Sequence, residues 1–127
     1  MGTALLFNTI MADDLKTVRE TLAKSPELVN TADAQGVTPL YVAAATGKED
    51  IAQFLLGKGA QANSKTNAGA TPLHAAVYIN NEKMVRLLLA KGAAVNVKDR
   101  SGATPLALAK TKGFTNIAAV LKKYGAK

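Results

Sequence analysis

The chain has 127 residues and a formal net charge of +7; 48% of its residues are hydrophobic and 5% aromatic, with no Trp and no Cys. This length and apolar content predict one folded domain and exclude a disordered tail, and the lack of Cys excludes disulfides, thiolate metal sites and a Cys nucleophile. A core of Leu, Val, Ile and Ala favours closely packed helices over a β-sandwich.

The N-terminal segment, residues 1–12, is mildly apolar. It lacks a basic start, and Asn8 and Thr9 interrupt it, so a signal peptide fits poorly. No stretch of about 20 apolar residues occurs in the sequence, so we expect no membrane span. Together with the absence of Cys, these features lead us to expect a cytoplasmic protein.

Two pairs of neighbouring carboxylates, Asp13-Asp14 and Glu49-Asp50, are the first candidates for acid–base chemistry. Both pairs precede or open a predicted helix, where the helix dipole stabilises negative charge. We therefore interpret them as helix starts rather than as catalytic groups.

A regular repeat dominates the rest of the chain. Gly36, Gly69 and Gly102 are equally spaced, and seven other positions with the same spacing are also identical in all three copies. They are Thr38/Thr71/Thr104, Pro39/Pro72/Pro105, Leu40/Leu73/Leu106, Ala43/Ala76/Ala109, Leu55/Leu88/Leu121, Gly59/Gly92/Gly125 and Ala60/Ala93/Ala126. Such a constant period without insertions predicts an array of structural repeats.

The segment Thr71-Pro72-Leu73-His74-Ala75-Ala76 resembles the signature of the ankyrin repeat, Thr-Pro-Leu-His-x-Ala with a 33-residue period. Residues 38–41 and 104–107 depart from it at the His position. The resemblance implies an all-α ankyrin-repeat solenoid of stacked helix-turn-helix units with projecting β-turn or hairpin loops.

The whole chain, residues 1–127, is expected to form a single ankyrin-repeat domain. The expected repeats are approximately 1–32, 33–65, 66–98 and 99–127, with the first and last acting as caps. The first repeat is a degenerate copy in which a shift by one period aligns Phe7 with Leu40 and Ile10 with Ala43.

Each repeat is predicted to begin its first helix at the Thr-Pro-Leu segment. The Thr hydroxyl is a good N-cap, Pro suits the first helical position, and the Leu then points into the core. Gly47, Asn80 and Gly113 fit a left-handed exit from this helix. Asp33, Thr66 and Asp99 are expected to organise the preceding turns, and Asn30, Asn63 and Asn96 the loops.

The second helices are predicted near residues 50–58, 83–91 and 116–124, each ended by a glycine. In the third repeat Met84, Leu87 and Leu88 are expected to form the buried stripe. The last of these helices reads Leu121-Lys122-Lys123, a polar outer face that is typical of a C-terminal cap.

No residue of the sequence is assigned a catalytic, metal-binding or cofactor-binding role, so we do not expect an enzyme. His74, the only His, has no nucleophile or carboxylate motif around it and occupies the position where the family places a structural His that braces neighbouring loops. Gly57-Lys58-Gly59 lacks the spacing of a phosphate-binding loop and ends a helix.

The resemblance implies protein binding through the turn tips and the exposed side of the first helices, which line a concave face. The sharpest candidates are Tyr78 and Ile79, an aromatic beside an aliphatic residue, while Phe114 is a weaker one. The complete set of expected contact residues is Gln35, Val37, Ala45, Thr46, Asn67, Ala70, Tyr78, Ile79, Arg100, Ala103, Thr111 and Lys112, with Ala34, Ala68 and Ser101 at the tips.

The first function hypothesis is thus a monomeric adaptor or inhibitor that binds another protein. A second is an engineered binder on an ankyrin scaffold. The second and third copies agree at fewer than half of their positions, which argues against a consensus library but not against grafting onto a natural scaffold. A third is a basic surface that binds an acidic protein or, less expectedly, nucleic acid. This basic surface consists of Lys98, Arg100, Lys110, Lys112, Lys122 and Lys123.

Overall fold

A computed structural model describes residues 2–127, within which the regular structure is entirely helical. The helices are α1 Gly2–Met11, α2 Leu15–Lys24, α3 Pro39–Thr46, α4 Glu49–Gly57, α5 Pro72–Tyr78, α6 Glu82–Ala90, α7 Pro105–Lys112 and α8 Thr115–Lys123, with a 3₁₀ helix at Pro26–Asn30 after α2. The predicted all-α solenoid is confirmed.

The helices form two layers. The first helices α1, α3, α5 and α7 pack side by side in chain order, and the second helices α2, α4, α6 and α8 form the layer behind them. Within each pair the first helix also packs on the second. One continuous apolar core therefore runs between the layers, and each pair packs mainly on its neighbours.

The Thr-Pro-Leu segments begin the helices α3, α5 and α7 as predicted. Thr38, Thr71 and Thr104 are extended N-cap residues whose hydroxyls accept the N–H three residues on, at 3.2, 3.4 and 3.1 Å. The Leu residues that follow are at most 3% exposed. These local hydrogen bonds orient each first helix so that its Leu enters the core.

Each second helix begins one residue earlier than the sequence pattern predicts, at Glu49, Glu82 and Thr115. The carboxylate pairs lie where expected. Asp14 caps α2 by accepting the Thr17 N–H at 3.1 Å, and Glu49 and Asp50 open α4.

The predicted buried stripe of α6 was wrong at one position. Met84, Val85, Leu88 and Leu89 are buried, whereas Leu87 is only half-buried. Because α6 packs on α5 and also on both α4 and α8, its buried arc is wider than one stripe and lies over Val85 and Leu89.

The alignment of the first copy was also wrong by one residue in its first helix. Asp13 has the left-handed backbone (φ 58°) that Gly47 has in the second copy (φ 72°), and the two are one residue further apart than the repeat period, so Leu6 rather than Phe7 corresponds to Leu40. Leu6 is fully buried and Phe7 half-buried. The regular period returns after α2, which has ten residues where α4 has nine.

The loops between repeats are joined by the predicted asparagines. Asn30, Asn63 and Asn96 each donate their amide to a glycine carbonyl of the next repeat, at 3.0 to 3.3 Å, and accept a backbone N–H from two residues beyond it. Each amide therefore connects two successive helix pairs.

Candidate binding face

The three turn tips before α3, α5 and α7 share one construction. Asp33 Oδ1 accepts the N–H groups of Gln35 and Val37 at 2.9 Å, and Asp99 Oδ1 accepts those of Ser101 and Ala103 at 2.9 and 3.0 Å. Thr66 does the same through its hydroxyl at 3.3 Å. The turn role predicted for these side chains is confirmed.

Asp99 is held most tightly of the three. The hydroxyl of Ser101 donates to its Oδ1 at 2.6 Å. This bond, followed by those from the N–H groups of Ala103 and Ser101, keeps the pKa of the Asp99 carboxyl below its ordinary value. The carboxylate is therefore charged at neutral pH and directed into its own turn.

Neighbouring tips are hydrogen-bonded to each other. The Asn67 N–H donates to the carbonyl of Gln35 at 2.8 Å, and the Arg100 N–H donates to that of Ala68 at 2.9 Å. Gly36 (φ 77°) allows this approach, because a Cβ there would lie 2.9 Å from Asn67 Oδ1. The tips therefore form one continuous rim.

His74 braces this rim from below, as expected for the family. Its Nδ1 accepts the Thr71 N–H at 3.2 Å, which places the ring proton on Nε2, and Nε2 donates to the carbonyl of Ala103 at 3.0 Å. The ring is buried. It fixes the third tip against α5 and offers no free nitrogen for catalysis.

The expected contact residues lie along the rim and the first-helix layer. Exposed members are Gln35, Thr46, Asn67, Tyr78, Ile79, Arg100, Thr111 and Lys112, and half-buried members are Val37, Ala45, Ala70 and Ala103. Tyr78 and Ile79 expose 61% and 42% of their surface. All twelve are thus accessible in whole or in part, and none is in the core.

Two clefts, each of about 420 Å³, gather eight of these residues. The first cleft, which we call the helix cleft, has Ala45, Ala70, Tyr78 and Ile79 in its lining. The second, at the tips, is lined by Gln35, Val37, Asn67 and Arg100 among others. Lys112 joins the first through Tyr78, because its Nζ lies 4.2 Å from the centre of that ring. Thr46, Ala103 and Thr111 line neither cleft.

A family model of ankyrin repeats, three copies long, matches residues 1–66 and again residues 59–127, so that the two matches span the whole chain. The chain belongs to the ankyrin repeat family. Ankyrin repeats are generally protein–protein interaction modules. Among curated proteins, no sequence matches this one.

Three residues of this ankyrin face were missed by sequence reasoning. Tyr41 lines both clefts and Leu108 lines the helix cleft. Burial raises the pKa of the Tyr41 phenol, so it stays protonated. Met11, 53% exposed, takes the place of Ala45 and Tyr78 in the first helix pair. The one-residue offset of the first copy hid Met11, whereas Tyr41 could have been found because it stands at the position of His74.

Charge on the ankyrin surface is concentrated in the C-terminal part. Residues 98–127 contain seven Lys or Arg and one acidic residue. Within residues 2–127 the single ion pair joins Arg86 Nε to Glu82 Oε2 at 2.9 Å. The bases Lys98, Arg100, Lys110, Lys112, Lys122 and Lys123 therefore have no carboxylate at bonding distance in the described part of the chain.

Other kinds of site are not found in the described residues. No group of three or more His, Asp or Glu side chains is arranged to hold a metal ion there. Gly57-Lys58-Gly59 lies at the end of α4, away from any helix start that would bind phosphate. None of α1 to α8 is long and apolar enough to cross a membrane.

Proposed function

We propose that this ankyrin domain is a monomeric adaptor or inhibitor that binds another protein through its turn tips and the concave face of its first helices, with no chemistry of its own. The domain is residues 1–127, with four repeats near 1–32, 33–65, 66–98 and 99–127. The observation that carries the proposal is the helix cleft, where Tyr78 and Ile79 remain exposed beside Ala45 and Ala70.

The physical reason is that one set of residues maintains the fold and a different set forms the exposed surface. The repeated Thr, Pro, Leu and Ala residues are committed to caps and core, while the side chains on the rim differ from repeat to repeat. A large aromatic residue beside an aliphatic one at the edge of a cleft is the composition of binding hot spots.

The test is affinity capture from the source lysate with wild type and a Tyr78→Ala/Ile79→Asp variant, after circular dichroism shows that both are folded. The matched control is Tyr124→Ala/Leu5→Asp, which likewise replaces one exposed Tyr by Ala and one exposed aliphatic residue by Asp, at positions outside both clefts. We expect one protein to bind wild type and the control but not the Tyr78 variant. Equal capture by all three would refute the concave face as the binding surface.

A second candidate function rests on the unpaired bases of the last repeat. An acidic protein or a nucleic acid would bind there by charge, and binding would fall steeply with salt. Retention of wild type on heparin, compared with a Lys122→Glu/Lys123→Glu variant, tests it. Capture that salt removes and that the Tyr78 variant retains would favour this candidate over the first.

A further inference from the structure

The helix cleft has the shape and chemistry of a socket for one large apolar side chain. Tyr41, Tyr78 and Leu108 come from three successive repeats and form its walls, while Ala45 and Ala75 are too small to fill it. Its volume of about 420 Å³ is within the range of about 300–1,000 Å³ typical of ligand pockets.

The ammonium group of Lys112 lies at one edge of the helix cleft. Lys112 Nζ lies over the Tyr78 ring, 4.2 Å from its centre, and has no carboxylate at bonding distance within residues 2–127. A cation over an exposed ring is weakly held, so the ammonium is free to pair with an incoming carboxylate. Arg100, exposed on the same tip as Asp99, lines the tip cleft and not this one.

The edge at the turn tip before α7 carries the one acidic residue in the lining, Asp99, whereas Lys112 is the last residue of α7. Its Oδ1 already accepts three hydrogen bonds, from the N–H and hydroxyl of Ser101 and from the Ala103 N–H. Its charge would repel an anion close to the tip. The two edges therefore favour a ligand whose carboxylate lies towards Lys112, at the end of α7.

We infer that the partner of this domain inserts a bulky apolar side chain between Tyr41, Tyr78 and Leu108, and that an Asp or Glu next to that side chain pairs with Lys112. The occupant is thus an acidic protein segment with one large apolar anchor. This inference rests on the proposed function, because it names the partner chemistry of the same concave face. The net charge of +7 favours such a segment by long-range attraction as well.

The probe is a phage-displayed library of random peptides, selected on the immobilised wild-type chain. We expect the enriched peptides to share Trp, Phe, Leu or Met flanked by Asp or Glu. The affinity of a synthetic copy is then measured by fluorescence anisotropy for wild type, Tyr78→Ala, Lys112→Glu and Lys91→Glu. Lys91→Glu is the matched control, since it changes the same charge at an exposed position at the end of α6, outside both clefts.

Tyr78→Ala should weaken binding at least tenfold because it opens the socket wall, and Lys112→Glu should weaken it about tenfold with a smaller salt dependence. Lys91→Glu should change it less than twofold. If the peptides lack acidic residues, or if Lys112→Glu weakens binding no more than Lys91→Glu does, the inference fails while the concave face stands. If Tyr78→Ala binds as wild type does, or if no peptide is enriched, the inference is overturned; the former result counts against the concave face as well.

Discussion

Individual polar side chains in this protein mostly serve the backbone. The hydroxyls of Thr38, Thr71 and Thr104 cap helices, and Asp33 and Asp99 close turns. Within the described residues, no buried side-chain nitrogen or oxygen lacks a hydrogen-bond partner. Removing such a side chain therefore leaves an unsatisfied group and costs more than the loss of its contacts.

His74→Ala should lower the free energy of unfolding by about 1–3 kcal/mol, because it orphans the Thr71 N–H and the Ala103 carbonyl that the ring connects. Urea unfolding followed by circular dichroism measures this. A loss no larger than that of an ordinary surface substitution, about 0.5 kcal/mol, would show that water replaces the ring without cost.

Acid should weaken the fold through its capping carboxylates. Hydrogen bonds from Thr17 lower the pKa of Asp14. Hydrogen bonds lower the pKa of Asp99 as well, and the largest contribution there comes from the Ser101 side chain. Because the folded pKa is the lower one, the unfolded chain binds protons first as pH falls, and this stabilisation is present above about pH 4 and lost below it.

The urea concentration at the unfolding midpoint, measured at pH values from 7 to 3, should therefore begin to decrease once the pH falls below about 5. Asp99→Asn should start from a lower midpoint at pH 7 and show a shallower decline, since it has no proton to gain. An identical decline in the variant would mean that Asp99 does not contribute to the acid sensitivity.

Among the helices, the neighbours of each helix decide which faces are buried. The pattern of α6 predicted Leu87 in the core, but contacts with α4 and α8 on either side bury Val85 and Leu89 instead. In α1, Leu6 replaces Phe7 in the core because the first helix pair is offset by one residue. Periodicity locates a helix, whereas its rotation depends on what packs around it.

Truncations along α6 test this rotation. Leu88→Ala, at a fully buried position, should cost about 2–5 kcal/mol. Leu87→Ala should cost clearly less because the side chain is half-buried, and Lys91→Ala should stay within about 0.5 kcal/mol. Equal losses for Leu87→Ala and Leu88→Ala in urea unfolding would contradict the observed burial.

At the scale of the whole molecule, the last helix pair packs on the preceding pair with one face and presents its other face to solvent. Lys110 and Lys122 stand at positions where the preceding pair has buried Val77 and Leu89. A charged side chain there keeps the outer face hydrated, which is the property of a capping repeat. The same bases give the C-terminal half its positive charge.

A Lys110→Val/Lys122→Leu variant should expose an apolar face and self-associate as its concentration rises. Sedimentation velocity should show wild type as a monomer throughout. The control Lys98→Val/Lys123→Leu removes the same charge from exposed positions outside this face and should stay monomeric. If both double variants associate equally, loss of charge rather than the apolar face is responsible.

The sequence by itself determined the family, the helix starts and the turns, because caps and left-handed exits depend on residues only a few positions apart. It also placed Tyr78 and Ile79 on the accessible face. The tertiary structure alone decided that Tyr41, Tyr78 and Leu108 line one cleft and that Lys112 lies over the Tyr78 ring. These contacts depend on how each helix pair is rotated against the next, which the repeat period does not encode.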